Sequence, residues 1–128
     1  MTRLLPLTLL LCASTAWSDA PFSREDKMLQ PLPEHHTAGY IKSQRIEMAV
    51  GTTAPAHQHP VPTFGVVNQG QVEFQLQGQA PVILRAGDTF YEPPHTTVLK
   101  FGAHGEQRAA FTVFYLLDSE GDDTVSLL

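Results

Sequence analysis

The sequence GTTAPAHQHP, residues 51–60, places two histidines one position apart, His57 and His59. In an extended strand, side chains two positions apart lie on the same face, so both imidazoles can point at one metal ion while Gln58 faces away. Imidazole nitrogens suit transition metals such as Zn, Fe, Cu or Ni. Taken alone, the pair has a second explanation, which is two surface or hydrogen-bonded histidines without a metal.

Apolar and polar residues alternate on both sides of this stretch. The alternating apolar positions are Ile46, Met48, Val50, Val72, Phe74 and Leu76. Further short apolar runs lie at residues 82–84, 89–91, 97–101 and 111–117, each bounded by Gly, Pro or polar residues. Because no helical period appears, the sequence predicts an all-β fold, a sandwich or a barrel, and closure into a barrel removes exposed strand edges.

Two local patterns give more detailed expectations. Residues 68–71 lie between two apolar runs and contain Gly70, which predicts a hairpin of the flanking strands. Phenylalanines at strand spacing are expected in the core. They are Phe64, Phe74, Phe90, Phe101, Phe111 and Phe114.

The spacing of glycines, histidines and prolines resembles the cupin superfamily. Gly51, His57 and His59, followed by Gly70, resemble the first cupin motif, and the segment from Gly87 to Pro93 resembles the start of the second. The resemblance covers residues 40–117. It implies a small jelly-roll β-barrel whose interior holds a divalent metal, usually through three histidines and often one glutamate.

Only part of this ligand set can be transferred to the chain. His57 and His59 match the two histidines of the first motif. The family's glutamate position is Thr63 and its second-motif histidine position is Val98, so the second motif is degenerate. His95 lies in the turn after two prolines and is the nearest histidine able to complete the set, although a solvated turn histidine is the alternative.

Lys100 is a second departure from the family pattern. If Val98 faces the interior of a continuous strand, Lys100 shares that face, and its ammonium disfavours a bound cation. Thr63, Val98 and Lys100 are therefore expected to line a ligand pocket. The alternative is that the Lys100 side chain extends to the barrel mouth.

Three functional hypotheses follow from the resemblance. The first is a metal-binding protein that holds Fe, Mn, Zn, Ni or Cu together with a small molecule. If it is an enzyme, it is an oxidoreductase of dioxygenase type or an isomerase, and the small molecule is its substrate. The second is a metal-free module that binds a small ligand in the degenerate site. The third is a homodimer formed through the N-terminal arm. Cupins host unrelated activities, so the sequence does not name a substrate.

Composition and charge limit the partners. The chain has 128 residues, enough for one domain, and a formal net charge of -5 with no basic run, which argues against nucleic acid. Arg3 and the apolar residues 4–13 resemble an export signal too short to span a bilayer. We expect cleavage between Ser18 and Asp19 and a periplasmic or secreted protein without a membrane anchor.

The expected organisation has four parts. Residues 1–18 form the signal peptide, and residues 19–39 form an irregular, proline-containing arm. Residues 40–117 form the barrel. Residues 118–128 form an acidic tail, and its turn-rich part, residues 118–123, is expected to fray.

Overall fold

The computed structural model describes residues 21–128, which contain nine β-strands and no helix, and this confirms the predicted all-β class. The strands are β1 Tyr40–Met48, β2 His57–Gln58, β3 Thr63–Gln69, β4 Gln71–Leu76, β5 Val82–Arg85, β6 Thr89–Glu92, β7 Val98–Ala103, β8 Ala109–Leu117 and β9 Ser126–Leu127. The predicted signal peptide and Cys12 lie outside the described residues. Across residues 21–128, no helix has the length and apolar character needed to cross a membrane.

Two antiparallel sheets form the barrel. One sheet has the strand order β1-β8-β3-β6 and the other the order β5-β4-β7-β2-β9. The core between them contains four phenylalanine rings with neighbouring centroids 4.8 to 6.1 Å apart, in tilted or edge-on arrangements. These rings belong to Phe74, Phe90, Phe101 and Phe111. The architecture is the jelly roll that the resemblance implied.

Phe64 and Phe114 lie outside this core, so their predicted burial is wrong. Alternation along β3 points Thr63, Gly65 and Val67 inward and leaves Phe64 half-buried on the opposite face. Phe64 and Phe114 are partners in the β3–β8 ladder, and their rings stack with centroids 5.2 Å apart. The pair therefore packs on the outer surface of the four-stranded sheet.

The predicted hairpin around Gly70 is also wrong. Strand β3 pairs with β6 and β8, whereas β4 pairs with β5 and β7, so Gly70 joins the two sheets. Its φ of 72° lies in the left-handed region, and a Cβ there would lie 2.3 Å from the Arg108 carbonyl oxygen. Glycine is required at this corner of the barrel because a side chain would collide with the Arg108 backbone.

The segments outside the strands contact the barrel at defined points. Residues 21–39 contain no strand, and the carbonyl oxygen of Lys27 accepts a hydrogen bond of 3.1 Å from the Thr89 hydroxyl. The C-terminal segment also makes defined contacts. The Asp122 carboxylate accepts backbone N–H bonds from Asp118 and Ser119, and β9 then pairs with β2.

Gly65 gives a test of how tightly the barrel is packed. A Cβ at this position would lie 2.4 Å from both Phe90 Cζ and the Thr112 carbonyl oxygen. We expect Gly65→Ala to lower the free energy of unfolding by about 1–3 kcal/mol through overpacking. Gly121→Ala is the matched control, since nothing lies within 4 Å of its added Cβ. Equal urea midpoints for both variants would contradict this packing.

Candidate metal centre

His57 and His59 lie on the interior side of the barrel, as the alternation along the chain predicts. Their exposed fractions are 8% and 5%, and their ring centroids are 5.0 Å apart with the ring planes at 83°. Gln58 faces away from them, and its amide donates a 3.0 Å hydrogen bond to the Thr97 hydroxyl. The structure therefore places the two imidazoles next to each other.

Backbone carbonyls orient both imidazoles. His57 Nδ1 is 2.8 Å from the Pro55 carbonyl oxygen, and His59 Nδ1 is 2.5 Å from that of Thr124. An Nδ1–H group donating to a carbonyl leaves Nε2 as the metal-binding nitrogen in the neutral ring. The carbonyl at Thr124 is contributed by the segment that leads into β9.

Glu92 is the third member of the group and was not predicted. It ends β6, is 3% exposed, and its Oε2 lies 2.7 Å from His59 Nε2. His57, His59 and Glu92 each offer one ligand atom, and these atoms all lie within 4.8 Å of one another. Alternation along β6 puts Glu92 on the same face as the core residue Phe90, and a carboxylate on an apolar face requires a partner. That pattern was the available sequence signal.

The carboxylate of Glu92 changes the proton affinity of its neighbours. Burial disfavours a charged His59, but the hydrogen bond and charge of Glu92, together with the Thr124 carbonyl, outweigh burial and raise the pKa of His59 above its usual value. Burial and the charge of Glu92 also raise the pKa of Tyr115, so its phenol remains protonated at neutral pH. The His59 ring centroid lies 5.8 Å from that of Tyr115.

The three groups open onto a cavity of about 560 Å³. Such a volume lies within the usual range for small-molecule sites. Its walls are mainly apolar and come from both sheets and from the C-terminal segment. They include Met48, Phe90, Phe101, Phe111, Val125 and Leu127.

The predicted pocket residues Thr63 and Val98 do not line this cavity. Thr63 is fully buried, and its hydroxyl donates a 3.1 Å hydrogen bond to the Val61 carbonyl oxygen. Val98 is fully buried and is the β7 partner of His57. Both residues pack around the site without contributing a polar group to it.

His95 lies outside the His/His/Glu group. It is exposed and has a φ of 58°, in the left-handed region. Its backbone N–H donates a 2.8 Å hydrogen bond to the His59 carbonyl oxygen. The turn therefore supports the backbone at His59, while the His95 ring is not one of the clustered ligands.

Lys100 points away from the interior because β7 is irregular. In the β4–β7 ladder, Leu76 pairs with Val98 and Gln75 with Lys100, so Leu99 is an extra residue that reverses the alternation. The Lys100 ammonium lies 3.1 Å from the Glu73 carboxylate, and its side chain is 48% exposed. The predicted repulsion between Lys100 and a bound cation is therefore absent.

The C-terminal segment gives a test of how His59 is positioned. A chain ending at Asp123 loses the Thr124 carbonyl and the pairing of β9 with β2, while every residue of the apolar core remains. We expect it to stay folded and to bind Co²⁺ about 10–100-fold more weakly, the usual cost of losing a group that orients a ligand. A chain ending at Leu127 is the control and keeps the parent affinity in chelator competition. Equal Co²⁺ affinity of both chains would refute the positioning role.

Solved structures share the fold at low sequence identity. An oxalate oxidase in complex with the substrate analogue glycolate has a TM-score of 0.59 and 24% identity, covering 69% of this chain and 46% of that chain. A DMSP lyase from Ruegeria pomeroyi has a TM-score of 0.60 and 21% identity, covering 68% of this chain and 42% of that chain. A cupin-like protein from Thermotoga maritima has a TM-score of 0.61 and 19% identity, covering 69% of this chain and 64% of that chain.

At identities of 19% to 24%, these similarities establish the fold alone. This chain also spans less than two thirds of the length of each of the three structures. Among curated proteins, no sequence match was found. The family model described as "Cupin domain" matches residues 44–115, which is more than half of the chain. This match includes His57, His59 and Glu92. The chain therefore belongs to the cupin family.

Proposed function

We propose that this protein is a metal-dependent cupin in which His57, His59 and Glu92 hold one divalent transition metal and a small molecule binds in the adjoining cavity. The observation that carries the proposal is the convergence of three buried ligand atoms within 4.8 Å. The orientation of both imidazoles by backbone carbonyls supports it. Three protein ligands leave coordination positions for water or substrate.

The donor set favours a particular group of metals. Imidazole and carboxylate ligands suit Fe, Mn, Zn, Ni and Cu, and two histidines with one carboxylate are the ligand set of non-haem Fe(II) oxygenases. We therefore place Fe first and an oxidoreductase of dioxygenase type first among the activities, with an isomerase second. The structurally similar oxalate oxidase and DMSP lyase carry different activities in their names, so they do not select between these reactions.

The residues around the group have separate roles in this proposal. A bound metal supplies Lewis-acid or redox chemistry to the molecule that it holds. His57 and His59 are kept in position by the Pro55 and Thr124 carbonyls. The phenol of Tyr115 lines the cavity and can donate a hydrogen bond to the bound molecule. The apolar walls exclude water from the reacting atoms.

A metal-free ligand-binding module is the second candidate. It is favoured by the direct contact of 2.7 Å between His59 Nε2 and Glu92 Oε2, because this ion pair satisfies both groups without a metal. In that case the histidines and Glu92 act as polar anchors for an organic ligand. The two candidates differ in whether the purified protein contains a transition metal.

Metal content distinguishes them. We expect about one equivalent of a transition metal per chain by elemental mass spectrometry of the untagged protein, in keeping with one group of three ligands. The double variant His57→Ala with His59→Ala should contain none, and Glu92→Gln should retain less than the parent. His95→Ala is the matched control, since His95 is an exposed histidine outside the group. A folded parent that takes up none of the five metals would instead support the metal-free module.

We further propose that the protein is exported and forms a homodimer. Export is supported by Arg3 and the apolar residues 4–13. Dimer formation is supported by β1, which has nine residues, is largely exposed and lies at the edge of its sheet. A long exposed edge strand is a template for pairing with the N-terminal arm, residues 19–39, of a second chain.

Both proposals are tested on protein expressed with its own N-terminus in a bacterial host. In the periplasmic fraction, we expect the intact mass of a chain that begins at Asp19. Light scattering of the purified protein should give the mass of two chains. Deletion of residues 19–39 should give the mass of one chain. Retention of residues 1–18 argues against export, and a monomeric parent argues against the dimer.

A further inference from the structure

We infer that the cavity takes an uncharged, largely apolar molecule with one oxygen-donor end, and that it discriminates against a negative charge on the far end of that molecule. This inference rests on the proposed metal site and names the class of molecule that the site accepts. The gradient of polarity along the cavity and the charges on its walls carry it.

The candidate metal ligands and the Tyr115 phenol lie together at one end of the cavity. Glu92 and Tyr115 are both in register with Thr63, on either side of β3, and the two histidines lie beside them. The three candidate ligands and the Tyr115 phenol therefore lie near the donor end of a metal-bound molecule. A hydrogen bond from the phenol and coordination by the metal both favour an oxygen donor there.

The opposite end is apolar along the same strands. Phe90 precedes Glu92 by two positions on β6, and Phe111 precedes Tyr115 by four positions on β8. At a rise of about 3.3 Å per residue, Phe90 and Phe111 lie roughly 7 and 13 Å from the polar end. Phe101 contacts both rings, with centroid distances of 5.1 and 4.8 Å. An apolar body of the bound molecule therefore meets aromatic walls.

The charges on the walls oppose a second negative group. Among the residues that the structure describes, no Lys or Arg lines the cavity, and its acidic members are Glu92 and Glu47. The Glu47 carboxylate is already paired with Arg45 at 3.2 Å and Arg108 at 3.4 Å on the surface. A distal carboxylate of a bound molecule would therefore be desolvated among phenylalanines without a cation.

Two probes with the same donor end test this inference. 4-Methylcatechol and 3,4-dihydroxybenzoate both present two adjacent hydroxyl groups to a metal, and they differ in a distal methyl or carboxylate group. Each is titrated anaerobically into Co²⁺-loaded protein, followed by calorimetry and by visible absorption of the cobalt. Each affinity is divided by that of the same probe for free Co²⁺, which removes differences in intrinsic chelation.

We expect 4-methylcatechol to bind at least tenfold more tightly on this normalised scale. Gln44→Lys is the matched variant, because Gln44 is exposed at the cavity wall and shares the face of Ile46 and Met48. The added ammonium should reduce the preference at least threefold. Gln44→Glu keeps the position polar without a positive charge and should not reduce it.

The outcomes separate this inference from the proposed function. Protein that loads Co²⁺ but binds 3,4-dihydroxybenzoate as tightly as 4-methylcatechol, or more tightly, overturns the inference and leaves the metal site standing. Equal effects of Gln44→Lys and Gln44→Glu also overturn the charge argument. Protein that takes up no Co²⁺ overturns the proposed metal site and this inference with it.

Discussion

A buried carboxylate facing a buried imidazole is the interaction on which the site depends. Glu92 and His59 are both almost inaccessible to solvent and meet at 2.7 Å. A carboxylate among aromatic residues is costly unless a cation and hydrogen bonds compensate it. A protonated His59 meets that need, and so does a transition metal between His57, His59 and Glu92. Uptake of a metal at this site would exchange one compensating cation for another.

This interaction draws together parts of the chain that are far apart in sequence. Glu92 comes from β6 in one sheet, whereas His57 belongs to β2 in the other. Strand β2 has only two residues, and it lies between β7 and β9. Without β9 it would be an edge strand, and His59 would lose the carbonyl that fixes its ring. Closure of the barrel is thus also what positions the ligands.

The sequence predicted the parts of this arrangement that depend on local periodicity and motif spacing. Alternation correctly indicated most strands and the shared face of His57 and His59. It failed at Lys100, because the extra residue in β7 is recognised only when β7 is aligned with its pairing partner β4, and the sequence alone does not give that alignment. It also failed at Gly70, where the choice between a hairpin and a corner depends on the distant Arg108 backbone. Nothing in the sequence indicates that the Thr124 carbonyl orients His59, since every residue has a backbone carbonyl.

The missing glutamate of the family pattern has a structural explanation. The resemblance assigns that ligand to position 63, and Thr63 is the direct partner of Glu92 in the antiparallel β3–β6 ladder. Side chains of such partners lie on one face with Cβ atoms about 4.5–5.5 Å apart. A carboxylate at position 92 therefore reaches the same part of the interior as one at position 63. A motif defined along the chain misses this exchange between paired strands, whereas the strand pairing shows that a carboxylate is retained. The apolar residue at position 98, beside His57, then leaves three candidate protein ligands, the number typical of metal sites that keep an open position.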